Sequence, residues 1–346
     1  DVKKAVTEFN KTNEKYRITI NDYSIYNTYV DYTAGYNRFK TDLISGNIPD
    51  IIVSESNSDL SPYTSKGMFL DLYTLFDSDS DYSRDDFVQS FMKACETDGK
   101  LYFYSPSFSI QTYAAKTSLV GEKMGWTMQD LRSLMQRMPD SSVFSEMAKR
   151  DVLTSIIASY FEQFVDKNSG KCSFSSQEFI DLLEFCNTFP DEIDYEAKYG
   201  EDVNWEEYQI EYENMYRKDK VLLMNAYIND FLAIRRIERG NFGEPITFIG
   251  FPAKNGIGAT FNCGSKISIA AKSKYVEGAW EFMKMLMSDE FLRERYDFPV
   301  RIEMLNEKIE ANKKPYTYED ENGNIIEQDN TYWISTGEIN IGYPDD

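Results

Sequence analysis

A chain of 346 residues exceeds the size at which a single hydrophobic core stops growing, so two lobes are expected. A hydrophobic content of 42% excludes global disorder, and a net charge of −21 argues against nucleic-acid binding, because a phosphate backbone would be repelled. An anionic membrane surface is disfavoured for the same reason. Histidine is absent, which removes Ser-His-Asp and Cys-His nucleophile systems together with His-based zinc sites. Cys95, Cys172, Cys186 and Cys263 show no CxxC pair and no metal-ligand spacing, so no metal or cofactor is called for. Cys186 lies on the stripe Phe179, Leu182, Leu183, Cys186, Phe189 and reads as core. A Cys172–Cys186 disulfide is sterically conceivable, but spacing alone does not decide pairing. No apolar stretch reaches membrane-spanning length.

The chain opens on the short amphipathic helix DVKKAVTEF, with Val2, Ala5, Val6 and Phe9 on one face and no signal peptide visible. YRITIND alternates Tyr16, Ile18 and Ile20 with polar residues and predicts a strand. Tyr29, Tyr32, Tyr36, Phe39 and Leu43 recur at steps of three and four, the face of a second helix. Gly46 suits the positive φ of its C-terminus, and Pro49 forbids re-entry. Ile51, Ile52 and Val53 follow without alternation, as in a strand covered on both faces, which delivers the polar run Ser54, Glu55, Ser56, Asn57 to its carboxyl end. In open α/β sheets that end is where ligands bind.

A short polar helix ending at Gly67 and an Asp98-Gly99 turn come next, then two strand-like runs separated by Pro106. Residues 121–216 are helical in pattern, with capping boxes at Thr127/Asp130 and Ser175/Glu178 and a stripe of Trp205, Tyr208, Tyr212 and Met215. Strands return at Val221–Met224, Thr247–Phe251 and Lys266–Ala271, before a long helix bearing Val276, Ala279, Met283 and Leu286. The tail predicts a polar hairpin around Glu321-Asn322-Gly323-Asn324. A helix-rich middle between mixed ends places a sheet-containing lobe around a more helical insertion.

Five segments in order resemble one family. SGNIPDIIV is similar to the small-Gly-x-x-Pro-Asp-Ile-Ile hallmark of the type 1 extracellular solute-binding proteins of ABC importers, the group that includes maltose-binding protein. YTSKGMFLDLYTLF, DGKLYFYSP, KDKVLLMNAY and SKISIAAKSKYVEGAWEFMKMLMSDEF resemble its further elements, over roughly residues 2 to 296. The acidic, tyrosine-rich character looks most like Gram-positive lipoprotein members. Asp219 departs from the family's usual glycine, and Trp126-Thr127-Met128 replaces its common Thr-Trp. The resemblance places a first strand before residue 1 and closing helices after residue 346.

The resemblance implies a two-lobed α/β fold of the periplasmic-binding-protein type II class. Residues 1–109 with 258–298 would form the first lobe, and 110–257 with 299–346 the second. It further implies a monomer displayed outside the cell as a lipoprotein. The protein would close by a hinge on a small-molecule ligand in an interlobe cleft, work with a membrane permease, and do no chemistry. A neutral carbohydrate is the expected ligand, needing aromatic faces for C–H surfaces and amides or carboxylates for hydroxyl groups. The candidates are Glu55, Ser56 and Asn57 in the loop after the strand, Phe108 and Gln111 at the first crossing, Tyr227 after the strand VLLMN, and Phe261 and Asn262 at the second crossing. Trp205 and Trp280 sit on helix stripes and read as core. The weighed alternatives are a peptide or other small-solute binder, a ligand-sensing subunit, and a glycosidase with two carboxylates about 5 Å apart.

Overall fold

The computed structural model describes residues 2–341, apart from 56–57, 167–168, 201–202, 254–255, 257–258, 315–316, 328–330 and 336. It divides into two compact units, Asp1–Ser109 with Asn262–Lys308, and Ile110–Phe261 with Ile309–Asp346. The first unit thus runs to Lys308, past the expected 298. Val300 explains this: its N–H donates to the Pro106 carbonyl at 3.1 Å, and its carbonyl accepts from Val88 at 2.9 Å. Residues 260 and 261 go with the second unit, where the Thr260 hydroxyl donates to the Gln111 carbonyl at 3.5 Å.

In the first unit, helix Val2–Thr12 buries Ala5, Val6 and Phe9, and the Phe9 ring meets Phe282 edge-on at 5.5 Å. Phe282 belongs to helix Val276–Met287, whose buried face also carries Ala279, Trp280, Met283 and Leu286. Gly278 is required there, because a Cβ would come within 2.6 Å of the Tyr16 ring. Strand Ile51–Ser54 pairs antiparallel with Lys266–Ile269, Ile52 facing Ser268 and Val53 facing Ile267. Gly46 takes φ +87, as its place after a helix demands. Asp98 and Gly99 both have positive φ, and Thr97 and Lys100 exchange backbone hydrogen bonds across them, the geometry of a type I′ turn.

Several expected elements take another form. Residues 16–22 make no strand; the Asn10 side-chain amide bonds both backbone groups of Ile18, at 2.7 and 2.9 Å, in place of a neighbouring strand. The second helix begins at Ala34, leaving Tyr29 and Tyr32 exposed, because Thr28 and Asp31 exchange backbone hydrogen bonds that close a turn first. Val53 is exposed rather than covered, since burial alternates along its strand. Of the two runs around Pro106 only Ser107–Lys116 is a strand, while Tyr104 makes a single bridge to Ile267.

The second unit packs helices Met128–Arg137, Lys149–Phe164 and Gln177–Cys186 around Tyr113, Leu131, Val152, Leu182, Leu222 and Ile249. Thr127 and Asp130 form the expected capping box, but Ser176, not Ser175, caps the helix at Gln177. Cys186 is buried in this core, whereas Cys172 is exposed, and all four cysteines are free thiols. Strand Ser107–Lys116 pairs here with Met224–Ile228 and Ile246–Phe248. Strand pairing at 224–228 falls later than the expected 221–224, because Val221 to Leu223 instead bond to Ser142 and Val143 in a short parallel contact. Asp219 has φ +56, which explains why glycine is usual in that motif; aspartate tolerates the conformation and pairs with the buried Lys116 at 2.7 Å. The tail hairpin pairs Thr317–Glu319 with Ile325–Glu327 around Gly323 at φ +83. Among the described residues no helix is long and apolar enough to cross a membrane.

Candidate functional site

The candidates divide between the units, and each unit is described by itself. In the first unit, Glu55 is exposed directly after strand Ile51–Ser54, and its carbonyl accepts from Ser58 at 3.0 Å. Ser56 and Asn57 lie outside the described residues. Phe108 is buried, stacked on Phe91 at 5.0 Å and tilted on Phe298 at 5.7 Å, so its ring packs the core. Asn262 is half-buried in strand Thr260–Cys263.

In the second unit, Gln111 and Tyr227 lie directly opposite one another in paired strands. Tyr227 therefore belongs to a strand and does not follow one. Ala226 and Ile228 point inward while Asn225 and Tyr227 point out, and Tyr227 is 54% exposed. The Gln111 side-chain amide donates to the Asn225 side-chain oxygen at 3.2 Å. Phe261 is half-buried in strand Thr260–Cys263, which also pairs with Ser107–Lys116. Gln111, Asn225 and Tyr227 thus form one small polar and aromatic surface.

A second group, which the sequence reading does not single out, is built around Glu146. It lies just beyond the parallel contact of Ser142 and Val143 with residues 221–223. Its φ is +50, a conformation that costs a non-glycine residue about 1–3 kcal/mol and persists only where the surroundings impose it. The Tyr199 hydroxyl donates to Glu146 Oε2 at 2.7 Å, and the Tyr208 hydroxyl to Oε1 at 3.2 Å. Hydrogen bonding to Tyr208, and then to Glu146, holds the Tyr199 hydroxyl well above the usual tyrosine range, so it stays a neutral donor. Trp205 stacks nearly parallel on Tyr199 at 5.9 Å, and Tyr195 stacks on Tyr199 at 5.9 Å. Trp205 is 53% exposed and Tyr195 60%, contrary to the expectation that Trp205 is core. The buried Tyr113, in register with Asn225, places its hydroxyl 3.9 Å from the sulfur of Met147, next in sequence to Glu146.

The signal for this group is present in the sequence but easily misread. Trp205, Tyr208 and Tyr212 have helical spacing, yet the stripe is aromatic with polar tips rather than aliphatic. Such residues suit a surface that is half wet. Nothing local marks Glu146, because its backbone conformation is imposed by distant contacts. Chemically, a carboxylate accepts hydroxyl protons, and the flat rings beside it offer apolar faces.

Residues 4–314 match the model of the bacterial extracellular solute-binding proteins. The chain belongs to that family. A search of curated protein sequences finds no match. Among solved structures, the chain is similar to the sugar-binding protein MalE from Xanthomonas citri, with 16% identity over 88% of this chain and 77% of that one, at a TM-score of 0.55. It is also similar to a periplasmic oligogalacturonide-binding protein from Yersinia enterocolitica, with 16% identity over 90% and 78% of the two chains, at 0.56. At such identity the likeness establishes the fold, the two-lobed mixed α/β architecture expected above. Membership accounts for the five collinear motifs and places the protein's work in binding a solute.

Proposed function

We propose that this protein is the solute-binding component of an ABC importer and that its ligand is a neutral oligosaccharide. The observation that carries this reading is the carboxylate of Glu146, already accepting two phenol hydroxyls, beside the exposed rings of Trp205 and Tyr195. A sugar has hydroxyl groups for such a carboxylate and C–H faces for such rings. Gln111, Asn225 and Tyr227 supply a second set of polar and aromatic contacts. A carboxylate at the site, on a chain of net charge −21, favours a neutral ligand over an acidic one. The sugar-binding character of the two solved relatives supports a carbohydrate ligand. Closure of the two units on the ligand, read by a membrane permease, completes the proposal, and no step of it needs catalysis. Extracellular display as a monomeric, lipid-anchored protein is part of the same reading and rests on the sequence resemblance.

A thermal-shift panel of mono- and oligosaccharides, amino acids and peptides tests it. Ligand at a hundred times its Kd stabilises by about 2.7 kcal/mol, which a melting curve reads directly. Neutral oligosaccharides should raise the melting temperature and be recovered uncleaved. A shift with peptides or amino acids alone, or cleavage of the sugar, would overturn the reading.

A further inference from the structure

Cys95 and Cys263 are 168 residues apart in sequence, yet their sulfur atoms lie 3.8 Å from one another. Both are half-buried. Cys95 ends helix Gln89–Cys95, and Cys263 ends strand Thr260–Cys263. Neither end is loosely placed. Gly264, next to Cys263, donates its N–H to the Ser107 carbonyl at 2.9 Å, and any Cβ on it would meet Ser107 Oγ at 2.9 Å. Beside Cys95, Glu96 accepts the Tyr73 hydroxyl at 2.7 Å. We propose that Cys95 and Cys263 are a redox pair that closes to a disulfide outside the cell and locks the first unit around the insertion of the second. The sulfurs need approach by only about 1.8 Å to reach bonding distance.

The topology gives the bond its purpose. The segment between the two cysteines contains Ile110–Phe261, the whole insertion that belongs to the second unit. A bond there joins the part of the first unit from which the chain leaves to the point at which it returns. The first unit would then be covalently continuous whatever the state of the insertion.

The chemistry favours Cys263 as the attacking sulfur. Its thiol is held below the ordinary range by the hydrogen bond from Cys95 and, against its burial, by the Lys266 ammonium, while Cys95 is held above that range. The charged groups acting on the pair are Lys266 and Glu96. The oxidant is a small-molecule or protein disulfide. Cys263 thiolate attacks one of its sulfurs and expels a thiolate, leaving a mixed disulfide. Cys95 then gives its proton to water and attacks the Cys263 sulfur, expelling the second thiolate. Two thiols are oxidised and one disulfide is reduced to two thiols, so electrons balance.

The test uses the wild-type protein incubated with oxidised glutathione, alkylated, and mapped by mass spectrometry under non-reducing conditions. The peptides carrying Cys95 and Cys263 should appear as one species, two hydrogens lighter than their sum, and separate on reduction. Nicking the insertion with a protease should leave the flanking fragments joined on a non-reducing gel. The melting temperature should rise by several degrees on oxidation, and this rise should vanish in Cys263→Ser. Both cysteines remaining fully alkylatable after oxidation, or a cross-link that involves Cys172 instead, would overturn the proposal.

Discussion

Trp280 and Trp205 both sit on helix stripes that read as core in the sequence, yet the molecule uses them in opposite ways. Trp280 is 7% exposed, meets Phe76 edge-on at 5.0 Å and 82°, and donates its Nε1 proton to Asp79 at 2.7 Å. Phe76 is edge-on to Phe87 in turn, and Phe87 to Tyr104, at 75° and 81°. Around Trp205, Tyr199 lies near parallel at 15° and Tyr195 lies at 19° to Tyr199, while Tyr208 meets Trp205 edge-on at 76°. Around Trp280 the edge-to-face contacts set ring faces against neighbours within a closed core. A stack with exposed members leaves flat faces open to solvent. The first region uses its aromatics for stability, and the second displays them.

The strongest way to break this contrast is to remove Trp280. Trp280→Ala should destabilise the protein by about 3–5 kcal/mol in denaturant unfolding, through the cavity and the loss of the Asp79 hydrogen bond. Affinity of the protein that remains folded should be unchanged. For the displayed side chains of the second unit the effects should fall on binding. Tyr227→Ala should weaken ligand binding by about 1–3 kcal/mol, roughly 5- to 150-fold, while Tyr227→Phe costs much less because the ring face survives. Calorimetric titration of both variants beside a melting curve distinguishes this from a packing role, in which only the melting temperature would fall. Glu146→Gln keeps the shape and one acceptor oxygen, so a weakening of about 1 kcal/mol is expected, near fivefold, with little loss of stability.

The smallest expected effect is in acid. Burial raises the Asp79 pKa, but hydrogen bonds from Trp280, the backbone of Asp81 and Tyr82, and Lys284 outweigh it and leave the carboxyl below its ordinary value. A depressed folded pKa gives stability that is present above the unfolded value, about 3.9, and is lost as pH falls through the folded one. Asp79→Asn should therefore flatten the decline of stability below about pH 4 without altering affinity at neutral pH. Urea titrations at several acidic pH values measure this.

What was legible in the sequence is largely what a few neighbouring residues decide. The Thr127–Asp130 capping box, the positive φ at Gly46 and the Asp98-Gly99 turn each depend on groups within four positions. The family motifs extended that reach to the fold. Features that depend on a distant partner escaped. The alternation at 16–22 promises a strand, but Asn10 takes the hydrogen bonds of Ile18. Tyr227 stands out in the sequence as an aromatic following VLLMN, yet its place inside a strand follows from pairing with Gln111, more than 100 positions away. Trp205 shows the limit of periodicity: spacing reveals which residues share a helix face, not whether that face meets a core or water. Glu146 had no signal, because only tertiary contacts hold its backbone at φ +50.

The central claim is that the exposed stack on Glu146 holds a sugar, and Trp205 tests it most directly. An oligosaccharide that stabilises the wild type should be titrated calorimetrically into wild type and Trp205→Ala, with melting curves of both proteins. The account predicts affinity lower by about 5- to 150-fold and a melting temperature within a degree or two of wild type, because an exposed ring contributes little to the core. Equal affinity in the two proteins, with or without a change in melting temperature, would contradict it.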